Sequence, residues 1–169
     1  MQKTLSIRTL AALSLLLLAG AAQAAGGAAH EAGPAAKPGM HEHAHESGAG
    51  RPGDPARADR TIDIAMRDSM RFVPSSLSVR PGETVRLHVV NEGKLRHELV
   101  LGSMHELQEH AAMMRSMPGM KHEEPNALSL APGKQGDLVW QFGKAGTVDF
   151  ACLEPGHMEA GMKGAISVR

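Results

Sequence analysis

From Thr61 to the C-terminus, apolar residues recur at every second position in short runs broken by turn-forming residues. Ile62, Ile64 and Met66 alternate with Asp63 and Ala65, and Val85, Leu87 and Val89 alternate with Arg86 and His88. Leu138, Trp140 and Phe142 share one side of a third run. Successive side chains of a strand point to opposite faces, so each run has one face to bury and one to leave in solvent. Further runs fall at Leu77–Val79, His97–Leu101, Ala127–Leu130, Val148–Cys152 and Ile166–Val168, while Pro81-Gly82 and Pro132-Gly133 mark turns. Seven or eight short strands with turns between them predict an all-β sandwich or barrel. A stretch of about 109 residues buries enough surface for one core without a disulfide.

One stretch breaks the alternation. Met104 to Met120 is rich in Ala, Leu, Glu and Met, lacks β-branched residues, and stops at Pro118-Gly119. This composition predicts a short helix over 104–116, inserted between two strands. Leu107, His110, Met114 and Met117 fall on or near one helical face, which would pack on the sandwich with Met as an adaptable filler. The competing expectation is a second, Cu(I)-favouring site assembled from His105, His110, Met113, Met114, Met117, Met120 and His122.

The chain ahead of Thr61 has a different character. Residues 1–24 read as a secretory signal, with Lys3 and Arg8 as the positive start, Leu10 to Gly20 as the apolar segment, and Ala22-Gln23-Ala24 as the cleavage site. The apolar run is about half the ~20 residues a membrane span needs, so no membrane anchor is expected. Residues 25–60 are dominated by Ala, Gly and Pro and hold no Val, Ile, Leu or aromatic side chain. With almost nothing to bury, this segment is expected to be a disordered linker. It carries His41, His43 and His45 at alternate positions, which could wrap a divalent metal ion. Acidic and basic residues number 18 each, so there is no positive footprint for nucleic acid.

Near the C-terminus, Cys152, His157 and Met162 are each separated by four intervening residues in a loop punctuated by Pro155, Gly156 and Gly161. Cys152 is the only cysteine. In an exported protein, an unpaired cysteine calls for explanation as a reactive, intermolecular or metal-bound group. Thiolate, imidazole and thioether are soft donors, and two histidines, one cysteine and a weak axial methionine make the blue-copper set. Met158 is the alternative thioether, but it adjoins His157 and would point away from it. The second histidine must come from upstream, where His88, His97, His105, His110 and His122 are available. His88 lies mid-strand on the outer face, whereas His97 falls where a loop meets a strand, at a sheet end. Enzyme chemistry finds little support: one cysteine excludes a two-cysteine binuclear copper centre, and nothing in the sequence orients a Cys-His nucleophile pair.

Together with the Thr147–Cys152 strand and Asn91-x-Gly-x-x-x-His97, the Cys-His-Met loop resembles the cupredoxins over about Thr61 to Arg169. The Met/His-rich insertion, the His-containing leader and Val139-Trp-Gln-Phe resemble the periplasmic copper-tolerance cupredoxins of the CopI type. The resemblance implies a cupredoxin-like Greek-key sandwich with one type 1 copper held by His97, Cys152, His157 and Met162. It also implies a monomer in the periplasm that meets a redox or copper-handling partner, such as a c-type cytochrome or a copper exporter. Electrons would leave through the edge of His157. Many family members carry Asn directly after the first histidine, hydrogen-bonded across to the cysteine loop; here that residue is Glu98. Two functions follow: one-electron transfer with copper tolerance, or copper sequestration and delivery through the His-rich tail and the Met/His insertion.

Overall fold

The computed structural model describes residues 48–116 and 124–169. Among them are ten strands and one α-helix: β1 (Gly50–Pro52), β2 (Arg60–Arg67), β3 (Arg71–Val73), β4 (Ser76–Val79), β5 (Thr84–Asn91), β6 (His97–Gly102), α1 (Met104–Ser116), β7 (Ala127–Leu130), β8 (Gln135–Phe142), β9 (Gly146–Ala151) and β10 (Lys163–Val168). They form two five-stranded sheets, one ordered β1-β8-β5-β2-β3 and the other β4-β10-β9-β6-β7. The eight runs of alternating sequence correspond to eight of these strands. The other two, β1 and β3, are three residues long and too short to show a period.

The alternation sorts the side chains as expected. In β5, Val85, Leu87 and Val89 are buried while Arg86 and His88 are only half-buried. The inner faces of both sheets supply one core that includes Ile64, Met66, Phe72, Leu87, Trp140, Phe142, Phe150 and Ile166. Phe72 and Phe150 meet edge to face across the sandwich, with ring centroids 5.0 Å apart. Each fully buried Leu, Ile or Phe contributes roughly 1.5–3 kcal/mol, so apolar burial of this kind holds the sheets together. A Cβ at Gly164 in β10 would collide with the Phe150 ring and the Ser75 carbonyl, so that position must stay bare. Cys152 and Met162 belong to this same core.

A smaller cluster lies on the outer face of the second sheet, where α1 covers it. Leu107 and Ala111 of the helix pack with Val100, Ala151 and Leu153, and Met158 rests against them. The helix starts at a capping box. The Ser103 hydroxyl accepts from the Glu106 amide at 3.3 Å, and the Glu106 carboxylate accepts from the Ser103 amide at 2.8 Å. Leu107 and Ala111, four residues apart, form its buried stripe, and His110 and Met114 only flank it.

The expectation of an unstructured 25–60 segment does not hold for its final residues. From Ala49 the chain is part of the sandwich: β1 pairs with β8, Ala49 is buried, and the Trp140 indole donates to the Ala49 carbonyl at 2.8 Å. Apolar content missed this because the segment joins the sheet through its backbone, and only the small Ala49 side chain enters the core. Residues 1–24, the remainder of the 25–60 segment with His41, His43 and His45, and Met117, Met120 and His122 lie outside the described residues.

The registers fix the orientation of the barrel-like ends. β5 runs towards the loop 92–96, and β9 runs towards the loop 152–162, so both loops emerge at one end of the sandwich. β1 meets β8 at Phe142, near the opposite end, and Val168 of β10 pairs with Gly146 there too.

Candidate metal centre

The loop between β5 and β6 is closed by polar side chains rather than by apolar ones. Asn91 is fully buried, and its amide group donates to the carbonyls of Leu95 and Leu130 at 2.8 and 3.0 Å while accepting from the Gly93 amide at 2.9 Å. A buried amide that makes three hydrogen bonds holds its surroundings in one arrangement. His97 follows as the first residue of β6, with no exposed surface. Its Nε2 lies 3.0 Å from the Asp68 carboxylate at the end of β2, and its Nδ1 faces the second loop.

That second loop begins where β9 ends. Cys152 has the same inward side as Phe150 and is also fully buried. The Cys152 amide donates to the Met162 carbonyl at 3.0 Å, and the Met162 amide donates to the His157 carbonyl at 2.9 Å. These two bonds draw Cys152, His157 and Met162 against one another. The reversal needs residues free to take positive φ, and Gly156 and Gly161 supply them at 85° and 100°. His157 is half-buried, whereas Met162 is fully buried in the core beside Cys152. Met158 packs instead against the cluster under α1.

The donor atoms form a small triangle. Nδ1 of His97 is 3.2 Å from Nδ1 of His157, Sγ of Cys152 is 3.3 Å from Nδ1 of His157, and the third side, Sγ to Nδ1 of His97, is 4.0 Å. A point equidistant from these three atoms lies about 2.1 Å from each, the length of bonds from imidazole and thiolate to a first-row metal ion, about 2.0–2.3 Å. In size and in donor chemistry the triangle therefore fits a copper ion. Among the described residues it is the one group of three His, Cys, Asp or Glu side chains close enough to hold a metal.

Electrostatics point the same way. Burial pushes the Cys152 thiol up to about 12, although the amides of Glu98 and Glu154 offset part of that. The metal-free thiol therefore keeps its proton at neutral pH and is a poor nucleophile. A bound cation reverses this, because coordination deprotonates a thiol outright. Burial, and then the neighbouring His97, lower the pKa of His157, which keeps its ring neutral and its lone pair available.

Glu98 occupies the position where many cupredoxins have Asn, and it closes the same gap. Its Oε1 accepts from the Leu153 amide at 3.0 Å, while its own amide points at Sγ of Cys152 at 3.5 Å. The loops are thus clasped by a carboxyl group. Burial, then the charge of Glu154, raise that group to about 7.

The remaining sequence candidates sit elsewhere. His88 lies on the outer face of β5, 2.7 Å from Asp137. On α1, His105 is exposed and lies 3.4 Å from Glu109, and His110 lies 3.6 Å from Glu124. Met113 is exposed and Met114 half-buried. Sequence reasoning did not single out Asp68. Its only mark in the sequence is an acidic residue at the end of the first long strand, and nothing in the spacing links it to His97.

Residues 58–169 match the family described as copper binding proteins, plastocyanin/azurin family. The chain is 50% identical over 153 residues to the copper-resistant cuproprotein CopI of Rubrivivax gelatinosus, covering 90% of this chain and 91% of that one. It is 38% identical over 155 residues to the CopI of Pseudomonas aeruginosa, covering 75% of this chain and 85% of that one. Among solved structures it is similar to auracyanin B, with a TM-score of 0.58 and 25% identity over 72% of this chain and 96% of that one.

Proposed function

The chain belongs to the plastocyanin/azurin family of copper-binding proteins, and from that premise we propose that it is a periplasmic type 1 copper protein that carries single electrons and serves copper tolerance. The observation that carries this reading is the His97, Cys152, His157 triangle, sized for one copper ion and closed off by buried side chains. Met162, buried beside Cys152, would supply the fourth donor in this reading. The copper-resistance names of the CopI relatives support the physiological half of it.

Copper, when bound, supplies a reversible one-electron change between Cu(I) and Cu(II). The chain's part is to keep the donors still. Asn91 and the paired backbone of the 152–162 loop hold the ligands in one arrangement, so little has to move between oxidation states. The core around Cys152 excludes water from the sulfur. His157 is the ligand with surface exposure, so its imidazole edge is the port through which an electron would pass to a partner. A c-type cytochrome or a copper exporter suits that role, with the protein acting as a monomeric carrier rather than an enzyme.

Copper sequestration or delivery is the second reading. The number of His and Met residues in and around α1 favours it, although the described part of that stretch does not gather its donors. Absorption and EPR spectra of the purified mature protein, with a copper count per chain, test both. An intense visible band with a narrow copper hyperfine pattern at one copper per chain supports the first reading. Several coppers per chain without that band would favour the second and overturn the first.

A further inference from the structure

We propose that Asp68 is a positioning residue of the metal centre, fixing the tautomer and ring orientation of His97 so that Nδ1 is presented to copper before the metal arrives. This rests on the copper reading above, but its first test does not.

One carboxylate collects three groups from the loop that carries His97. Oδ2 of Asp68 accepts from the Lys94 amide at 2.8 Å, and Oδ1 accepts from the Leu95 amide at 3.3 Å and lies 3.0 Å from Nε2 of His97. An ionised carboxylate only accepts hydrogen bonds, so Nε2 must carry the proton, and in the neutral ring Nδ1 is then bare. The bare nitrogen is the one that faces Cys152 and His157. The loop approaches Asp68 so closely that a Cβ at Gly93 would collide with the carboxylate, so the contact depends on glycine there.

Asp68 is itself held in place from several sides. It follows β2 in one sheet, while His97 opens β6 in the other, so the carboxylate bridges the two sheets at the site end. Just before it, the Glu92 amide donates to the Met66 carbonyl at 3.0 Å and Arg67 pairs with Glu92 at 2.9 Å. Just after it, Arg71 donates to the Met70 carbonyl at 2.7 Å and to the Ala160 carbonyl of the cysteine loop at 3.0 Å. The turn from Arg67 to Arg71 thus reaches both loops that bear a histidine, and within it Asp68 makes the hydrogen bond to an imidazole. A carboxylate behind a ligating histidine raises the basicity of the ring, and removing such a partner typically costs about 10–100-fold in metal affinity.

The first measurement is made on metal-free protein at pH 8, by nitrogen-15 NMR of the histidine side chains. Wild type is expected to show His97 as a single Nε2–H tautomer with a slowly exchanging proton. Asp68→Ala should give mixed tautomers and fast exchange. On loading, it should bind Cu(II) about 10–100-fold more weakly and have a higher reduction potential, because the anion that favours the more positive ion is gone. Asp68→Asn keeps an oxygen acceptor, so it should restore the tautomer and most of the affinity while the potential stays high. Arg71→Ala removes a loop contact without touching the ring and should leave the tautomer unchanged. If Asp68→Ala leaves tautomer, affinity and potential as in wild type, the inference fails even when its melting temperature drops. It also fails if Arg71→Ala mixes the tautomers equally. Should wild type give no type 1 spectrum, the copper reading falls while the tautomer data still decide the role of Asp68.

Discussion

Two regions of this molecule are rich in side chains that bind soft metals, and they behave differently. At the end of the sandwich, His97, Cys152 and His157 bring their donor atoms within 4.8 Å of one another. Along α1, His105 and His110 each turn to a glutamate of their own, and Met113 faces solvent. The first region has fewer donors, but they come from separate loops that buried hydrogen bonds force together. The second has more, on a helix whose apolar anchoring is only Leu107 and Ala111. A helix spreads its side chains around an axis, and a metal site on it needs them on one face or joined by another element. Donor count therefore says less about a site than what closes the backbone around it.

The largest test of this contrast is Cys152→Ser. It should abolish the intense visible band of the copper-loaded protein, and a surviving band would mean that the centre is not where the buried triangle lies.

A smaller effect is expected at the clasp. Because burial raises Glu98 to about 7 from its ordinary 4.5, the folded metal-free protein holds a proton that the unfolded chain has released between those values. The associated stability is present below about pH 4.5 and is lost as pH rises through about 7. His157 works in the opposite direction, since its lowered pKa costs stability as pH falls below the ordinary 6.5. Glu98→Gln keeps an acceptor for the Leu153 amide and removes the titration. It should stabilise the metal-free protein at pH 8 by on the order of 1–3 kcal/mol and do little at pH 4.5. Thermal melts of both proteins at the two pH values measure this directly, and an equal shift at both would show that charge is not the cause.

The smallest effect is expected on the helix. Replacing His105 by Ala and Met113 and Met114 by Leu together should leave the visible band unchanged and alter stability by less than about 1 kcal/mol. Loss of the first copper equivalent in that variant would erase the distinction between the two regions.

Much of the sandwich could be read from alternation, because a strand with one buried face writes its period into the sequence. The helix bounds were legible from composition: the stretch is rich in Ala, Leu, Glu and Met, lacks β-branched residues and stops at Pro118-Gly119. β1 was not, since it attaches through backbone hydrogen bonds that leave no side-chain pattern. Cys152, His157 and Met162 could be singled out because they share one loop and the chain between them is short, and the structure brings the Cys152 and His157 donors together with His97. His97 needed a resemblance to be chosen over four other histidines, and its preference for a sheet end was only suggestive. Asp68 and the role of Glu98 were invisible, as each acts across a gap between sheets or loops that sequence separation does not encode. The doubled burial of Leu107 and Ala111, rather than the Leu107–His110–Met114 face, shows a further limit: small Ala can be the residue that lets a helix approach a sheet.

The first described turn, at Gly48 and Ala49, and the final residue, Arg169, both lie at the end of the sandwich away from the histidines. The strands between the two ends are up to eight residues long, so about 20 Å of protein separates Ala49 and Arg169 from the metal pole. A bead or electrode attached through a side chain at that end would grip the protein by its far pole and leave His157 facing outward. The fold thus comes with a built-in handle, and a chemist wishing to orient the molecule on a surface has no need to engineer one near the centre.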